Sequence, residues 1–266
     1  MRVDVHTHVW PETIAKTVER HATCALHLEM PLPNTVSGLK AHMEESGCDK
    51  SVVLGIAERP DQVEGINDWL IDIQDEGLVS FGAIHPLLED KPAEIRRIRS
   101  HGLRGVKLHP VLNRFHPDDP SMFPLYEEIG DSMVVAIHCG SMPHLKDRRP
   151  GYAAPSRIAN LARQFPRLKI IAFHLGGFYM LDEAERHLVG LPNLLIDTAW
   201  PPTVKEIASD TLAQIVNNHG PDKICFGTDF PFASQATDSE YLSRLPLTPA
   251  QLDMVLGANA ATFIGL

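Results

Sequence analysis

The chain has 266 residues, of which 44% are hydrophobic and 22% are charged. This composition is ordinary for a folded globular protein and excludes a disordered chain. The formal net charge is −10, from 24 basic and 34 acidic residues, so we expect no nucleic-acid partner. No apolar run approaches the roughly 20 residues of a membrane span, and no signal-peptide pattern is present, so we expect a cytoplasmic protein without a membrane partner.

Short apolar runs alternate with helical patterns along the chain. The runs carry valine, isoleucine and leucine at consecutive positions, which favours parallel strands buried on both faces. Capping-box patterns at Asp61 with Glu64 and at Thr203 with Glu206 predict two helix starts, and Thr248, Pro249 and Gln251 predict the start of the last helix. The predicted strands, in chain order, are residues 2–6, 51–57, 79–85, 103–109, 133–138, 168–174, 193–198 and 223–228.

Eight strands that alternate with helices predict a closed (β/α)8 barrel of the TIM type, with residues 1–266 as one domain and the active site at the carboxyl ends of the strands. A doubly wound open sheet is the alternative, but no GxGxxG sequence follows the first strand. The cysteines lack CxxC spacing and are interpreted as reduced, buried thiols at Cys24, Cys48, Cys139 and Cys225.

Metal-binding side chains stand at the ends of the predicted strands. His6 and His8 are two residues apart at the end of the first strand, so both side chains are expected to point to the same face. His138 and His174 end the fifth and sixth strands, and Asp229 directly follows the eighth. Because these ends meet at one mouth of a barrel, and because unpaired buried polar groups would cost several kcal/mol each, we predict a shared metal ion.

Two further polar residues are predicted to point into the barrel. Asp4 has the same parity along its strand as the histidine pair, and Lys107 shares a strand face with His109, opposite to two apolar neighbours. A buried ammonium group needs a partner. An ion pair with Asp4, carboxylation of the lysine to bridge two metals, and contact with a substrate carboxylate all stay open.

Together these residues resemble the amidohydrolase superfamily, and specifically its amidohydrolase-2 branch, which includes the aminocarboxymuconate-semialdehyde decarboxylase-like enzymes. The motifs span essentially the whole chain in the expected order. The resemblance implies a distorted (β/α)8 barrel with a divalent ion, most commonly Zn²⁺. The residues that carry it are Asp4-Val5-His6-Thr7-His8, Gly105-Val106-Lys107-Leu108-His109-Pro110, His138, His174-Leu175-Gly176-Gly177, Gly227-Thr228-Asp229-Phe230-Pro231 and Leu256-Gly257-Ala258-Asn259-Ala260.

The resemblance also implies a role for each residue at the mouth. Binuclear members of the superfamily add a carboxylated lysine on the fourth strand and use the sixth-strand histidine as a ligand, and Lys107 and His174 hold those positions here. One ion is favoured, because this branch is usually mononuclear, and two ions are the alternative. With one ion, His174 would be catalytic or contact the substrate. The single-metal ligands, carried over onto matching positions, are His6, His8, His138 and Asp229.

The leading functional hypothesis is metal-dependent hydrolysis of a C–O or C–N bond in a lactone, amide or ester of a small, carboxylated molecule. A bound metal lowers the pKa of water toward ~7, Asp229 would act as the base, and His174 would stabilise the oxyanion or position the water. Non-oxidative decarboxylation of a small aromatic or dienoic acid at the same site is the alternative. Candidate substrate contacts are His109, Arg114 and Trp200. The structural alternatives are that His109 is a turn residue in contact with solvent, that Arg114 is a solvated surface charge and that Trp200 is an aromatic residue packed at the rim.

Two other classes of protein are weighed. A related metal-dependent deoxyribonuclease also opens with a histidine pair, but its acidic mid-barrel ligand is missing where Lys107 stands, and the net charge of −10 opposes DNA binding. A non-catalytic barrel that keeps a closed structural metal site is the alternative from a different class. We expect a small-molecule substrate as the partner and a homodimer or higher homo-oligomer as the assembly.

Overall fold

The computed structural model describes residues 1–26, 29–142 and 151–266. Eight parallel strands form one sheet in chain order. Each strand pairs with the next one along the chain, so helices cross over between neighbouring strands as expected for a parallel barrel. The strands are β1 Val3–Thr7, β2 Lys50–Leu54, β3 Leu78–Ala83, β4 Gly105–Leu108, β5 Val134–Ile137, β6 Lys169–Ala172, β7 Leu194–Asp197 and β8 Ile224–Cys225.

The sheet closes on itself between its last and first strands. The N–H of Val5 donates to the carbonyl oxygen of Phe226 at 2.9 Å, and the N–H of Asp229 donates to the carbonyl oxygen of His6 at 2.8 Å. Thr7 also forms a parallel bridge with Phe230. The predicted (β/α)8 barrel is confirmed.

The α-helices lie between successive strands and after the last one. None of the helices in the described ranges is long and apolar enough to cross a membrane. The α-helices are α1 Glu12–His21, α2 Val36–Ser46, α3 Val63–Asp72, α4 Lys91–Ser100, α5 Pro110–Asn113, α6 Phe123–Ile129, α7 Pro155–Gln164, α8 Leu181–Leu188, α9 Ser209–His219, α10 Gln235–Leu242, α11 Pro249–Asp253 and α12 Asn259–Ile264.

One of the three predicted helix starts is confirmed and two are displaced: Asp61 lies inside the 3-10 turn Pro60–Gln62, and α3 begins at Val63. Gln251 donates its N–H to the Thr248 hydroxyl at 3.3 Å, and the Gln251 side chain accepts the N–H of Thr248 at 2.9 Å, at the start of α11. Thr203 instead caps the single 3-10 turn Val204–Glu206, and α9 begins later, at Ser209. The expectation that all four cysteines are buried is wrong for one of them, because Cys24 is exposed.

Apolar side chains cover both faces of the strands, in an outer layer and an interior layer. The outer layer packs strand residues such as Val106 and Ile170 against the helices. Inside the barrel, Gly105 allows two strands and a ring to approach closely, since a Cβ there would lie 2.6 Å from both the Val134 oxygen and the Phe81 ring. The interior layer takes alternate residues from the strands: Val3, Val5, Val52, Leu54, Val79, Phe81, Val134, Ala136, Ile171, Phe173, Leu195 and Cys225.

A bulge in β1 decides which of its side chains face the interior. The register between β1 and β2 shifts between Asp4 and Thr7, so that β1 uses one residue more than its neighbour. Val5 packs in the interior layer, and His6, the next residue, also turns inward and stacks on Phe173 at 3.8 Å. Strict alternation along a strand does not allow two consecutive inward residues, whereas a bulge re-aims the second one.

The prediction that Asp4 points into the barrel is therefore wrong. Asp4 is fully buried on the other face of β1, where it accepts hydrogen bonds from the Thr228 hydroxyl at 2.6 Å and from Gln235 of α10 at 2.9 Å. Burial raises the pKa of Asp4 to about 6, against these hydrogen bonds, which lower it. An ion pair between Asp4 and Lys107 is excluded by this orientation.

Candidate active site

Most of the polar residues predicted at the strand ends are buried together at the carboxyl-end mouth of the barrel. His138 follows β5 directly, and His174 comes two residues after the end of β6. Such a concentration of buried polar groups is costly unless they bind one another or a ligand. The buried residues of the mouth, all less than 9% exposed, are His6, His8, Lys107, His109, His138, His174, Asp197 and Asp229.

Three of these residues form a compact cluster of metal-ligating atoms. The Nε2 atoms of His6 and His8 lie 3.1 and 3.2 Å from the same carboxylate oxygen of Asp229. All three ligand atoms lie within 4.8 Å of one another. The structure thus brings together the first-strand histidine pair and the carboxylate that follows the last strand, as the sequence predicts.

The other nitrogen of each histidine shows how the cluster fits a cation. Nδ1 of His6 faces an Asp197 oxygen at 2.7 Å, and Nδ1 of His8 faces the Leu54 carbonyl oxygen at 3.4 Å. Because these oxygens only accept, Nδ1 carries the proton in both rings, and a neutral ring then presents a lone pair at Nε2. Both lone pairs point at one Asp229 oxygen, which is repulsive unless a cation lies among them. The donor set fits a divalent metal ion.

The electrostatics of the cluster show the same preference for positive charge. Burial works to lower the pKa of His6, but the negative charge of Asp229 raises it and the net shift is upward. Burial works to raise the pKa of Asp229, but the charge of a protonated His6, and the hydrogen bonds that protonated His6 and His8 would donate through Nε2, hold it well below its ordinary value. A proton and a divalent cation would therefore compete for the same place between these residues.

His138 lies beside this cluster with a nitrogen that lacks a partner. Its Nε2 atom is buried and has no hydrogen bond within the described part of the chain. Its ring stacks on His109 at 4.3 Å and meets the His174 ring edge-on at 4.7 Å. A metal-ligating role for His138 stays a prediction, and an unpaired buried nitrogen at this position supports it.

His174 and Asp229 are held in unusual backbone conformations. Their φ angles are +61° and +68°, in the left-handed region that few non-glycine residues adopt. The N–H of His174 donates to an Asp197 oxygen at 2.5 Å, and the N–H of Asp229 donates to the carbonyl oxygen of His6. Hydrogen bonds to neighbouring strands thus offset the local strain and fix both residues at the mouth.

Asp197 is a site residue that sequence reasoning missed. One of its oxygens faces Nδ1 of His6, and the other accepts the backbone N–H of His174, so a single fully buried carboxylate holds two strand ends. Gly227 makes room for it, because a Cβ there would lie 2.7 Å from the Asp197 oxygen and 3.1 Å from Cβ of His6. The rule that identified His138 also applies to Asp197, which ends an apolar strand.

Lys107 points into the barrel, as its apolar neighbours predict. Its ammonium group lies over the face of the Phe173 ring, 3.9 Å from the centroid. Burial lowers the pKa of Lys107 to about 7, although the charges of Asp229 and Asp197 work to raise it. Lys107 is thus a buried cation in an otherwise histidine-lined cavity.

The remaining predicted substrate contacts fall in three different environments. His109 is buried within the histidine cluster, so its interpretation as a solvated turn residue is wrong. Trp200 is 5% exposed and packs on Phe178, whose ring lies 4.9 Å from His174. Arg114 is exposed and ends α5 in a left-handed conformation. Contact of any of the three with a substrate stays a prediction.

Comparison with known proteins relates this site to a family. A family model described as amidohydrolase, of the amidohydrolase-2 type, matches residues 3–266. The 2-amino-3-carboxymuconate-6-semialdehyde decarboxylase of Dictyostelium discoideum is similar, with 23% identity over an alignment that covers 100% of this chain and 92% of that protein.

Solved structures share the fold over nearly their full length. A 5-carboxyvanillate decarboxylase from Sphingomonas paucimobilis has a TM-score of 0.73 at 17% identity, covering 100% of this chain and 99% of that one. A mutant of the Novosphingobium aromaticivorans enzyme with bound manganese has a TM-score of 0.73 at 14% identity, covering 100% and 97%. A putative 2-pyrone-4,6-dicarboxylic acid hydrolase from Pseudomonas putida has a TM-score of 0.68 at 16% identity, covering 99% and 97%. Since the family model spans almost the whole chain, the protein belongs to the amidohydrolase-2 family.

Proposed function

We propose that the protein is a metal-dependent decarboxylase that removes CO2, without oxidation, from a small aromatic or dienoic carboxylic acid. The observation that carries the proposal is the charge at the mouth. Asp197 and Asp229 are carboxylates, and Lys107 is the one cationic residue among the described buried residues there. With Lys107 protonated, the two carboxylates leave a single negative charge, and a bound divalent ion would turn it into a single positive charge. Such a site is complementary to one substrate carboxylate.

The choice of decarboxylation over hydrolysis rests on the comparisons. The curated relative that aligns with the whole chain is a decarboxylase, and two of the solved structures with the same fold are decarboxylases of a carboxylated aromatic acid. Hydrolysis, the leading expectation from sequence alone, has weaker support. It is the second candidate, because the same cluster could activate water and one similar structure is a putative pyrone dicarboxylate hydrolase.

The chain's own residues divide the work of the reaction. His6, His8 and Asp229 would hold the ion, with His138 as a further ligand. When bound, the ion supplies positive charge that attracts the substrate and stabilises negative charge as it develops. We propose Zn²⁺, with Mn²⁺ as the alternative that the manganese-bound relative suggests.

Decarboxylation breaks the bond between the substrate carbon and its carboxyl group. The electron pair stays on the carbon, CO2 leaves, and the carbon takes up one proton. We propose that Asp229 and His174 relay to that carbon a proton that comes from solvent, because both are fixed at the mouth, both have pKa values held well below their ordinary ranges, and His174 has a buried Nδ1 without a partner in the described residues. The low exposure of the whole cluster limits the access of bulk water to the site.

The test is a substrate screen with defined metal content. The protein is stripped with a chelator, reloaded separately with Zn²⁺ or Mn²⁺, and assayed against carboxylated phenols, dienoic acids, lactones, esters and amides. We expect CO2 and the decarboxylated product in equal amounts, loss of turnover on stripping, and recovery on reloading. Asp229→Ala should abolish turnover while circular dichroism shows an intact fold. A hydrolysis product without CO2 would establish the second candidate instead.

A further inference from the structure

Two buried groups at the mouth, on Lys107 and His109, have no ion-pair or hydrogen-bond partner for one polar atom among the described residues. Lys107 is 3% exposed, and its ammonium forms no ion pair with a carboxylate of the described residues. Its contact is the face of the Phe173 ring, which is a weak substitute for an anion in a water-poor site. A buried ammonium of this kind attracts a negatively charged oxygen.

His109 presents a hydrogen-bond donor to the same cavity. Nδ1 of His109 accepts the N–H of Leu112 at 3.4 Å and caps the short helix α5, so the ring proton sits on Nε2. Because Nδ1 accepts a hydrogen bond, it carries no proton, and the neutral ring has its donor at Nε2. Across the described chain its Nε2–H donates to no other group.

This protonation pattern is the opposite of that in the metal cluster. His6 and His8 carry the proton on Nδ1 and present lone pairs, which suit a cation. His109 carries it on Nε2 and presents a donor, which suits an anion. The hydrogen bond that each ring makes behind the cavity sets this difference.

The geometry points to an anion subsite formed by Lys107 and His109 that binds a carboxylate of the substrate beside the metal cluster. This inference rests on the proposed function and names how its substrate is held. The two residues are two positions apart at the end of β4, which places both side chains on the inner face. The ammonium charge of Lys107 matches the single charge of a carboxylate, and the donor groups of Lys107 and His109 match its two oxygens. A phosphate dianion would leave a negative charge uncompensated in a buried site.

The test measures binding of benzoate, as a simple carboxylate probe, by calorimetry to the metal-free and the Zn²⁺-loaded protein. Lys107→Met keeps the length of the side chain and removes the charge, and we expect roughly 10- to 100-fold weaker binding in both forms. His109→Leu removes the donor and should weaken binding about tenfold. His109→Gln restores an N–H donor and should recover most of the affinity.

The chain offers a matched control for each substitution. His85 follows β3, is 5% exposed, and its Nδ1 accepts the N–H of Leu87 two residues on at 3.1 Å, as Nδ1 of His109 accepts an N–H three residues on. His85→Leu should leave benzoate binding unchanged, as should Lys205→Met at an exposed lysine. An equal loss of affinity in His85→Leu and His109→Leu would assign the effect to loop structure and overturn the subsite.

Three further results would overturn it: no benzoate binding to the unsubstituted protein, unchanged binding in Lys107→Met, or a CO2 adduct on Lys107 by native mass spectrometry. The adduct is a carbamate, whose negative charge repels a carboxylate. CO2 release from the substrate screen tests the proposed function separately. Benzoate binding that depends on Lys107, in a protein without decarboxylase activity, would support the subsite and reject the function.

Discussion

Asp238 is a buried acid that forms no ion pair within the described residues, and replacing it should reveal a pH-dependent cost to stability. It lies in α10 and is fully buried; one oxygen accepts the Thr203 hydroxyl at 2.6 Å, and the other has no partner in the described residues. Burial raises the pKa of Asp238 from 3.8 to about 7, with the charge of Asp4 adding to the rise and the Thr203 hydrogen bond and Lys205 opposing it.

The direction in which the free energy of unfolding changes with pH follows from which state, folded or unfolded, binds the proton of Asp238. Between pH 4 and pH 7 the folded protein holds a proton on Asp238 that the unfolded chain has lost. The free energy of unfolding therefore falls as pH rises through this range, by about 1.4 kcal/mol per pH unit. Over about three units the loss approaches ~4 kcal/mol, and above the folded-state pKa it no longer grows. Asp238→Asn removes this dependence and keeps an oxygen that can accept from Thr203.

The assay is urea unfolding of both proteins at a series of pH values from 5 to 8. The difference in unfolding free energy between Asp238→Asn and the unsubstituted protein should increase by about 2 kcal/mol from pH 5 to pH 7 and level off above pH 7. Titrating groups that do not interact with Asp238 cancel in this difference, whereas the carboxyl of Asp4, which is coupled to Asp238, contributes to it. Asp210→Asn, at an exposed aspartate in the first turn of α9, is the control for the same chemical change at the surface. A pH-independent difference for Asp238→Asn would refute the reasoning.

Three further predictions concern the metal cluster. Asp197→Asn leaves one oxygen for the two N–H groups of His6 and His174 and sets an NH2 donor against the other, so metal affinity measured by chelator competition should fall roughly 10- to 100-fold, and an unchanged affinity would remove Asp197 from the site. Gly227→Ala places a Cβ 2.7 Å from the Asp197 oxygen, so both metal affinity and melting temperature should fall, the latter reflecting about 1–3 kcal/mol. His138→Ala should weaken metal binding, whereas His174→Ala should keep the metal and lose turnover; equal loss of metal in both would indicate a two-ion site.

The part of the site that could be predicted from sequence is the set of residues placed at the carboxyl ends of the strands. A parallel barrel brings the carboxyl ends of all strands to one mouth, so a histidine or aspartate after an apolar run is placed there by topology alone. That is why His6, His8 and Asp229 meet as expected. Lys107 also faces inward as predicted, because the apolar residues on either side of it face the helices.

What sequence could not supply depends on local departures from regular geometry. The bulge in β1 turns Asp4 outward and His6 inward, and no periodic pattern in this strand announces it. The Thr203 pattern stops after one turn, because the next residues form an extended connection before α9 begins. Histidine tautomers depend on acceptors and donors that other strands and loops contribute, such as Asp197 for His6.

The closure of the barrel between β8 and β1 has a consequence for the stage of synthesis at which a metal can bind. His6 and His8 belong to the beginning of the chain, and Asp229 lies beyond β8, so no nascent fragment that lacks the last strand holds a complete ligand trio. A divalent ion bound by these three residues would then link β1 to the segment after β8 once synthesis is complete. Because the ion would bind the closed barrel and not the open one, its binding free energy would stabilise the closed barrel. This stabilisation would increase with the concentration of free metal.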